Sequence, residues 1–242
     1  AFASDDRDPH FKPEPIKASD ITGWVSGARK LANAAYAQLT KALPSAPDAV
    51  GGAIEGLLER KDECLAATDA LGKGPISASK TRIHGDYHLG QVLVAKNDFY
   101  IIDFEGEPTR TLEERRAKSS PFKDVAGMLR SFEYAEWAAL FAIAEHEADS
   151  VGKLLPFASA WRKSTQGTFL KSYFDAIGDC PSCPNDRAEA DRLLNLFTLE
   201  KALYEICYEA TNRPTWLRIP ITGLQTVLDS LKRGKGPSHA AA

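Results

Sequence analysis

The sequence predicts a mainly α-helical chain with one small β-hairpin, an α+β fold class. Three observations predict it. Apolar residues recur at three- and four-residue spacings along most of the chain. Runs of strand-forming residues are confined to residues 81–107. Proline and glycine clusters separate the periodic segments. The 242 residues are 43% hydrophobic, enough for one sizeable core or two small ones.

The stretch 1–18 is charged, contains proline and shows no periodicity, so it reads as an irregular linker. Ser19 or Asp20 can cap a first helix whose apolar face is Ile21, Trp24, Ala28, Leu31, Ala35, Leu39 and Leu43. Pro44 and Pro47 end it, and a second helix follows through Ile54, Leu57, Leu58, Cys64 and Leu65. Gly72-Lys73-Gly74-Pro75 breaks the chain, and Arg82-Ile83 leads into a loop. Gln91–Ala95 and Phe99–Phe104 then flank Lys96-Asn97-Asp98, a plausible hairpin turn. After Pro121 the helical period returns, with helices expected from Val125 to Ile143, over Val151–Ile177, over Asp186–Ala210 and over Ile221–Leu231. Residues 234–242 form a small-residue tail expected to be flexible.

Composition excludes several classes. Net charge is −3 and the isoelectric point is about 6.0, which gives no footprint for nucleic acid or an anionic membrane. No run of eighteen apolar residues exists, and AFASDDRDPHF lacks the basic and apolar parts of a signal peptide. The chain therefore reads as soluble and cytoplasmic. Of the four cysteines, only Cys180 and Cys183 form a C-x-x-C pair, in GDCPSCPND. A zinc ribbon needs a second pair and a thioredoxin-like motif needs a βαβ setting. A proline-rich turn with two reduced thiols is the plainer reading, beside a local disulfide or an adventitious metal.

The chemistry concentrates around the hairpin. The segment His84-Gly85-Asp86-Tyr87-His88-Leu89-Gly90-Gln91 precedes one strand, and Ile101-Ile102-Asp103-Phe104-Glu105 closes the next. If the strands pair, the start of one and the end of the other are neighbours, so Asp86, Gln91 and Asp103 converge. Phosphoryl transfer needs such a set: a carboxylate to accept the proton of the attacking hydroxyl and hard oxygen ligands for Mg²⁺. The protein-kinase loop places Asn five residues after its Asp and then an Asp-Phe-Gly metal site. Here Gln91 stands at the Asn position and Asp103-Phe104-Glu105 at the other. Taken alone, Asp86 reads better as a loop cap and Asp103 as a turn residue; their joint spacing carries the chemical reading.

HGDYHLGQVL and YIIDFEGEP resemble the catalytic region of the aminoglycoside-phosphotransferase-like kinases. GEPTRTLEERRAKSSPFKDVAGMLRSFEYA and LEKALYEICYEATNRPTWLRIP resemble the maltokinases, free-standing or fused behind a trehalose synthase. The likeness spans about residues 81–220, with a weaker echo in DPHFKPEP. It implies the C-terminal lobe of a protein-kinase-like fold over 19–233, with ATP and Mg²⁺ and maltose as acceptor. By motif position it implies Asp86 as catalytic base and Gln91 with Asp103 as metal ligands. No lysine-bearing strand behind a Gly-rich loop is recognisable, so the N-terminal nucleotide lobe is expected to be absent and the chain inactive alone. Its partners would be that missing lobe and a trehalose synthase domain. Kinases of the same fold acting on an aminoglycoside, choline or homoserine are the rival reading, and a non-catalytic sugar-binding module is a third.

Around this centre several residues carry two readings. Glu105 and Glu107 follow Asp103 at period two, so in an extended segment the three carboxylates point together; Glu105 extends the binding site or belongs to a solvated acidic turn. Lys201, Glu205 and Glu209 share a helical face beside Tyr204 and Tyr208, as a sugar site or as an exposed face with ion pairs. The resemblance favours the sugar site for Lys201, Tyr204, Glu205 and Arg213. Trp216 reads as stacking plane or core. Arg115, Arg116 and Lys118 read as a solvated loop. His84 and His88 lack a third metal ligand, so His84 is expected to support the loop by hydrogen bonding, and Asp124 to brace it or cap the next helix.

Overall fold

The computed structural model describes residues 8–108 and 110–234. Residues 1–7 of the expected linker and 235–242 of the expected tail lie outside the described residues. In chain order the elements are β1 (Glu14–Pro15), α1 (Ala18–Ala42), α2 (Asp48–Leu58), α3 (Lys61–Leu71), β2 (Ser79–Lys80), β3 (Val92–Ala95), β4 (Asp98–Ile101), α4 (Leu112–Arg116), α5 (Phe122–Ala144), α6 (Val151–Ile177), α7 (Arg187–Asn212) and α8 (Arg218–Lys232). Helices dominate, with two small antiparallel sheets. Among the described residues no helix is long and apolar enough to cross a membrane.

The chain divides into two compact units. One takes in residues 8–15 together with the described part of Ser77–Asp186; the other takes in Ile16–Ile76 and the described part of Arg187–Pro237.

The helical unit is built from α1, α2, α3, α7 and α8 around a core of Ala28, Ala32, Leu39, Ile54, Leu57, Leu199, Leu203, Ile221 and Leu224. The small residues of α1 let α7 approach closely, and Trp24 meets Phe197 edge-on with centroids 5.2 Å apart. Helix α1 starts at Ala18, earlier than a Ser19 or Asp20 cap would allow. Asp20 instead sits inside the first turn, where its carboxylate accepts the Lys17 backbone N–H at 2.8 Å. The single second helix expected from the apolar spacing is two, broken at Glu59-Arg60. Arg60 there leaves the helical path to pair with Glu63 (2.8 Å) and Asp229 (2.7 Å), and Lys232 reaches Glu63 at 3.0 Å.

In the other unit α5 packs on α6 along an aromatic seam, Phe122 against Tyr173 and Phe174 and Phe132 against Phe169. A polar seam runs beside it. Buried Glu136 accepts from Ser159 Oγ at 2.6 Å and from Arg162, and Gln166 donates to the Leu129 carbonyl at 2.8 Å. The stretch read as a linker is tied down where described: Glu14 and Pro15 pair with Lys80 and Ser79. Lys118, read as part of a solvated loop, instead donates to the Pro9 carbonyl and the Glu14 carboxylate, each at 2.7 Å.

The hairpin β3–β4 pairs Val92 with Ile101, Leu93 with Tyr100, Val94 with Phe99 and Ala95 with Asp98. Its turn is two residues, not three. Lys96 and Asn97 both have positive φ, 51° and 62°, which matches a right-twisted two-residue turn and returns Asp98 to the strand. The second strand ends at Ile101, short of the expected Phe104.

Candidate active site

The loop between β2 and β3 is held on one face of α5. The Asp124 carboxylate accepts the backbone N–H of His84 at 2.7 Å and of Gly85 at 2.9 Å. Gly127, one turn on, lets the Tyr87 carbonyl approach so closely that a Cβ there would stand 2.6 Å from that oxygen. Ser131, a further turn on, accepts the Leu89 N–H through Oγ at 2.8 Å. Residues 124, 127 and 131 line one helical stripe, so α5 acts as a template for the loop. Burial pushes the Asp124 carboxyl above its ordinary range, against the lowering effect of its two N–H donors.

His84, itself buried, is the hub of the loop. Its Nε2 lies 2.7 Å from the Ile102 carbonyl and its Nδ1 3.3 Å from the Asp86 N–H. A carbonyl can only accept, so the proton sits on Nε2 and Nδ1 is left to accept from Asp86. The ring packs between Tyr87 and Phe104, with centroids at 5.5 and 4.9 Å. One neutral imidazole thus joins the backbone of Asp86 to the residue before Asp103. No metal need be invoked for His84 or His88. His88 Nδ1 accepts from the Gly90 N–H at 3.1 Å, and its Nε2 lies 4.0 Å from the Asp86 carboxylate.

Gln91 and Asp103 meet directly: Gln91 Nε2 donates to Asp103 Oδ2 at 3.0 Å. The contact follows from the hairpin, because the Ile102 N–H donates to the Gln91 carbonyl at 3.0 Å and extends the ladder one step past β3 and β4. Asp103 then turns into the left-handed region, φ 62°. That turn undoes the period-two alignment expected of Asp103, Glu105 and Glu107. Glu105 is 83% exposed and lies beside Arg115, which donates to its carbonyl at 3.4 Å and approaches its carboxylate at 4.0 Å. Gly106, φ 77°, turns the chain again next to the His84 carbonyl.

A carboxylate and an amide joined in this way offer hard oxygens and suit Mg²⁺. That ion takes one or two protein ligands and fills its remaining positions with water and phosphate oxygens. A closed all-protein cage is not what the residues build: among the described residues no three of His, Cys, Asp and Glu gather as a metal cluster.

The remaining singled-out residues lie on or just after α7 in the helical unit. Glu205 and Glu209 are buried, not part of an exposed ion-pair face. Glu209, 1% exposed, takes a two-pronged contact from Arg213, at 2.9 and 2.6 Å. The Arg213 guanidinium lies over Tyr208 (5.7 Å) and Trp216 (4.6 Å), Tyr204 stacks with Tyr208 at 6.4 Å, and Lys201 lies 5.0 Å over Tyr204. The result is a ladder in which Lys201 covers the stacked tyrosines at one end and Arg213 lies between Tyr208 and Trp216 at the other. Gly127 and Ser131 are the residues that sequence reasoning passed over. Their spacing from Asp124 along a helix whose face meets a polar loop is the signal that could have found them.

No protein-family model matches the chain. It is similar to two curated glucosamine kinases. That of Streptacidiphilus jiangxiensis is 26% identical over 214 residues, which is 88% of this chain and 44% of that protein. That of Mycolicibacterium smegmatis is 29% identical over 222 residues, 89% of this chain and 48% of that protein. The chain thus spans about half the length of the curated relatives it matches. Among solved structures, a glucosamine kinase in crystal form B superposes with a TM-score of 0.64 at 23% identity, over 90% of this chain and 47% of that one. A glucosamine kinase in complex with glucosamine, ADP and inorganic phosphate gives 0.63 at 24% identity, over 92% and 51%. The fold is shared with these kinases.

Proposed function

We propose that this chain is the phosphotransfer half of an ATP-dependent sugar kinase, with an aminosugar of the glucosamine type as acceptor. The observation that carries the reading is the Gln91–Asp103 contact at the hairpin mouth, joined through His84 to the backbone of Asp86. The similarity to glucosamine kinases supports the sugar-kinase class and favours glucosamine over other acceptors.

In this reading Asp86 accepts the proton of the sugar hydroxyl as that oxygen attacks the γ-phosphorus. The new O–P bond forms as the bond to the β-phosphate oxygen breaks, and ADP leaves. Asp86 sits in a loop fixed by Asp124, Gly127 and Ser131, so its carboxylate is placed before substrate arrives. Gln91 and Asp103 would hold Mg²⁺, whose chemistry is to neutralise charge on the phosphate oxygens. Lys201, Tyr204, Glu205, Tyr208 and Arg213 are proposed to contact the sugar, with aromatic planes for its ring and charged groups for its polar substituents.

The nucleotide grip is proposed to lie outside this chain. The hairpin is apolar on both faces and exposed, Val94 at 71% and Phe99 at 69%, as expected of a surface that more chain covers. The chain by itself is then inactive. Phosphorylation of glucosamine by this chain alone would overturn that division.

Maltose is the second acceptor reading, favoured by the likeness of residues 106–135 and 199–220 to maltokinases; a trehalose synthase partner belongs with it. Steady-state assays of the full-length protein against glucosamine, maltose and an aminoglycoside separate these readings. Asp86→Asn in the full-length protein is expected to lower kcat by about 10²–10⁴-fold while leaving ADP binding within a few-fold. Unchanged kcat removes Asp86 from the role of base.

A further inference from the structure

The turn after α6 carries a pair of thiols to which the proposed reaction assigns no part. The Cys183 N–H donates to the Cys180 carbonyl at 2.9 Å, closing a four-residue turn over Cys180-Pro181-Ser182-Cys183. Such a turn holds its end Cα atoms within roughly 7 Å, inside the range a disulfide needs. Both cysteines are partly exposed and reduced. Cys180 Sγ lies 3.2 Å from Ser182 Oγ, and Cys183 Sγ donates to the Pro184 carbonyl at 3.6 Å. The backbone is therefore in position, and the side-chain torsions must turn to bring sulfur to sulfur.

The turn is also bonded to a strand that leads to the candidate site. The Pro181 carbonyl accepts the Ser79 N–H at 2.8 Å, Thr81 and Ser119 exchange backbone hydrogen bonds at 2.9 Å each, and His84 follows three residues later. The other two cysteines differ. Cys64 is buried in the core, which pushes its thiol up to about 11, and burial raises Cys207 as well.

We propose that Cys180 and Cys183 are a redox modification site, closing reversibly to an intra-turn disulfide by exchange with a low-molecular-weight disulfide such as oxidised glutathione, and that closure locks the turn onto Ser79. One cysteine thiolate attacks a glutathione sulfur and releases the first glutathione thiolate. The second thiolate attacks the mixed disulfide and releases the other. The two cysteine protons leave with the two glutathione thiols, and the two electrons reduce the oxidant. A turn this exposed gives the labile kind of bond suited to sensing rather than to permanent cross-linking.

The test is to incubate the folded chain with oxidised glutathione, quench in acid, and read intact mass, peptide map and thiol count. Expected is a loss of two hydrogens, mapped to the peptide containing both cysteines, with titratable thiols in denaturant falling from four to two. Cys180→Ser and Cys183→Ser should each stop at a single glutathione adduct, whereas Cys207→Ser should close normally. Persistent glutathione on the wild-type turn, or no change in mass, overturns the site. Amide exchange at Ser79 should slow by about tenfold in the closed form; an unchanged rate overturns the coupling to the strand. None of these readouts depends on kinase activity.

Discussion

His84 shows how much one ring can fix at the residue scale. Its tautomer is set by the Ile102 carbonyl, and that choice gives Asp86 an acceptor for its N–H. Asp124 holds the same stretch from the other side with two charge-assisted hydrogen bonds. Asp124→Ala leaves two part-buried N–H groups without their acceptor and is expected to cost about 2–4 kcal/mol. Asp124→Asn keeps one acceptor oxygen and should lose roughly half as much. Urea unfolding of this chain checks both, and equal stability of Asp124→Ala and wild type would remove the brace. The meeting of Gln91 and Asp103 was legible because hairpin pairing alone brings positions 91 and 103 together. Glu105 was not legible. Period-two reasoning presumes extended backbone, and a positive φ at Asp103 gives no signal in a sequence without a glycine at that position.

Among the elements, α5 both contributes to the core and seats the loop. Its buried Val125, Met128, Leu129 and Phe132 fall on the period that predicted the helix, while the stripe of Asp124, Gly127 and Ser131 is polar or bare and looks like an ordinary helix edge. A sequence shows that such residues are present but not which loop will lie on them. Gly127→Ala is expected to destabilise the chain by about 1–3 kcal/mol, because the atom met at 2.6 Å is backbone and cannot swing aside. In the full-length protein the same substitution should lower kcat more than it raises KM, since it displaces the loop bearing Asp86. Stability within error of wild type would show that loop and helix are not in register there. Long helices were readable for the opposite reason: α6 and α5 repeat their period many times, and one irregular residue cannot disguise it. The break at Glu59-Arg60 escaped because ion pairs with Glu63 and Asp229, not a proline or glycine, hold it.

At the scale of the whole molecule, charge sets how the chain answers to acid. Glu63 lies between Arg60 and Lys232, and the Arg60 hydrogen bond holds its carboxyl down at about 2. A folded value below the unfolded one means the contribution is present above about pH 4.5 and is lost as pH falls from there toward 2. Glu63→Gln should therefore lower stability by on the order of 1 kcal/mol at neutral pH, discounted for solvent screening, and the deficit should vanish near pH 2. Melting temperature against pH for the two proteins tests it, and a deficit independent of pH would rule the charge out. The exposed hairpin also has a colloidal consequence. Val92–Ala95 and Asp98–Ile101 form two short apolar strands whose outer edges have no strand partner among the described residues, so at high concentration separate molecules should stack edge to edge. Solubility of the isolated chain is then set by these few residues and not by its net charge of −3. Replacing Val94 and Phe99 with lysine should raise the concentration at which light scattering begins, with little change in melting temperature. A crystallographer would meet that effect before an enzymologist did.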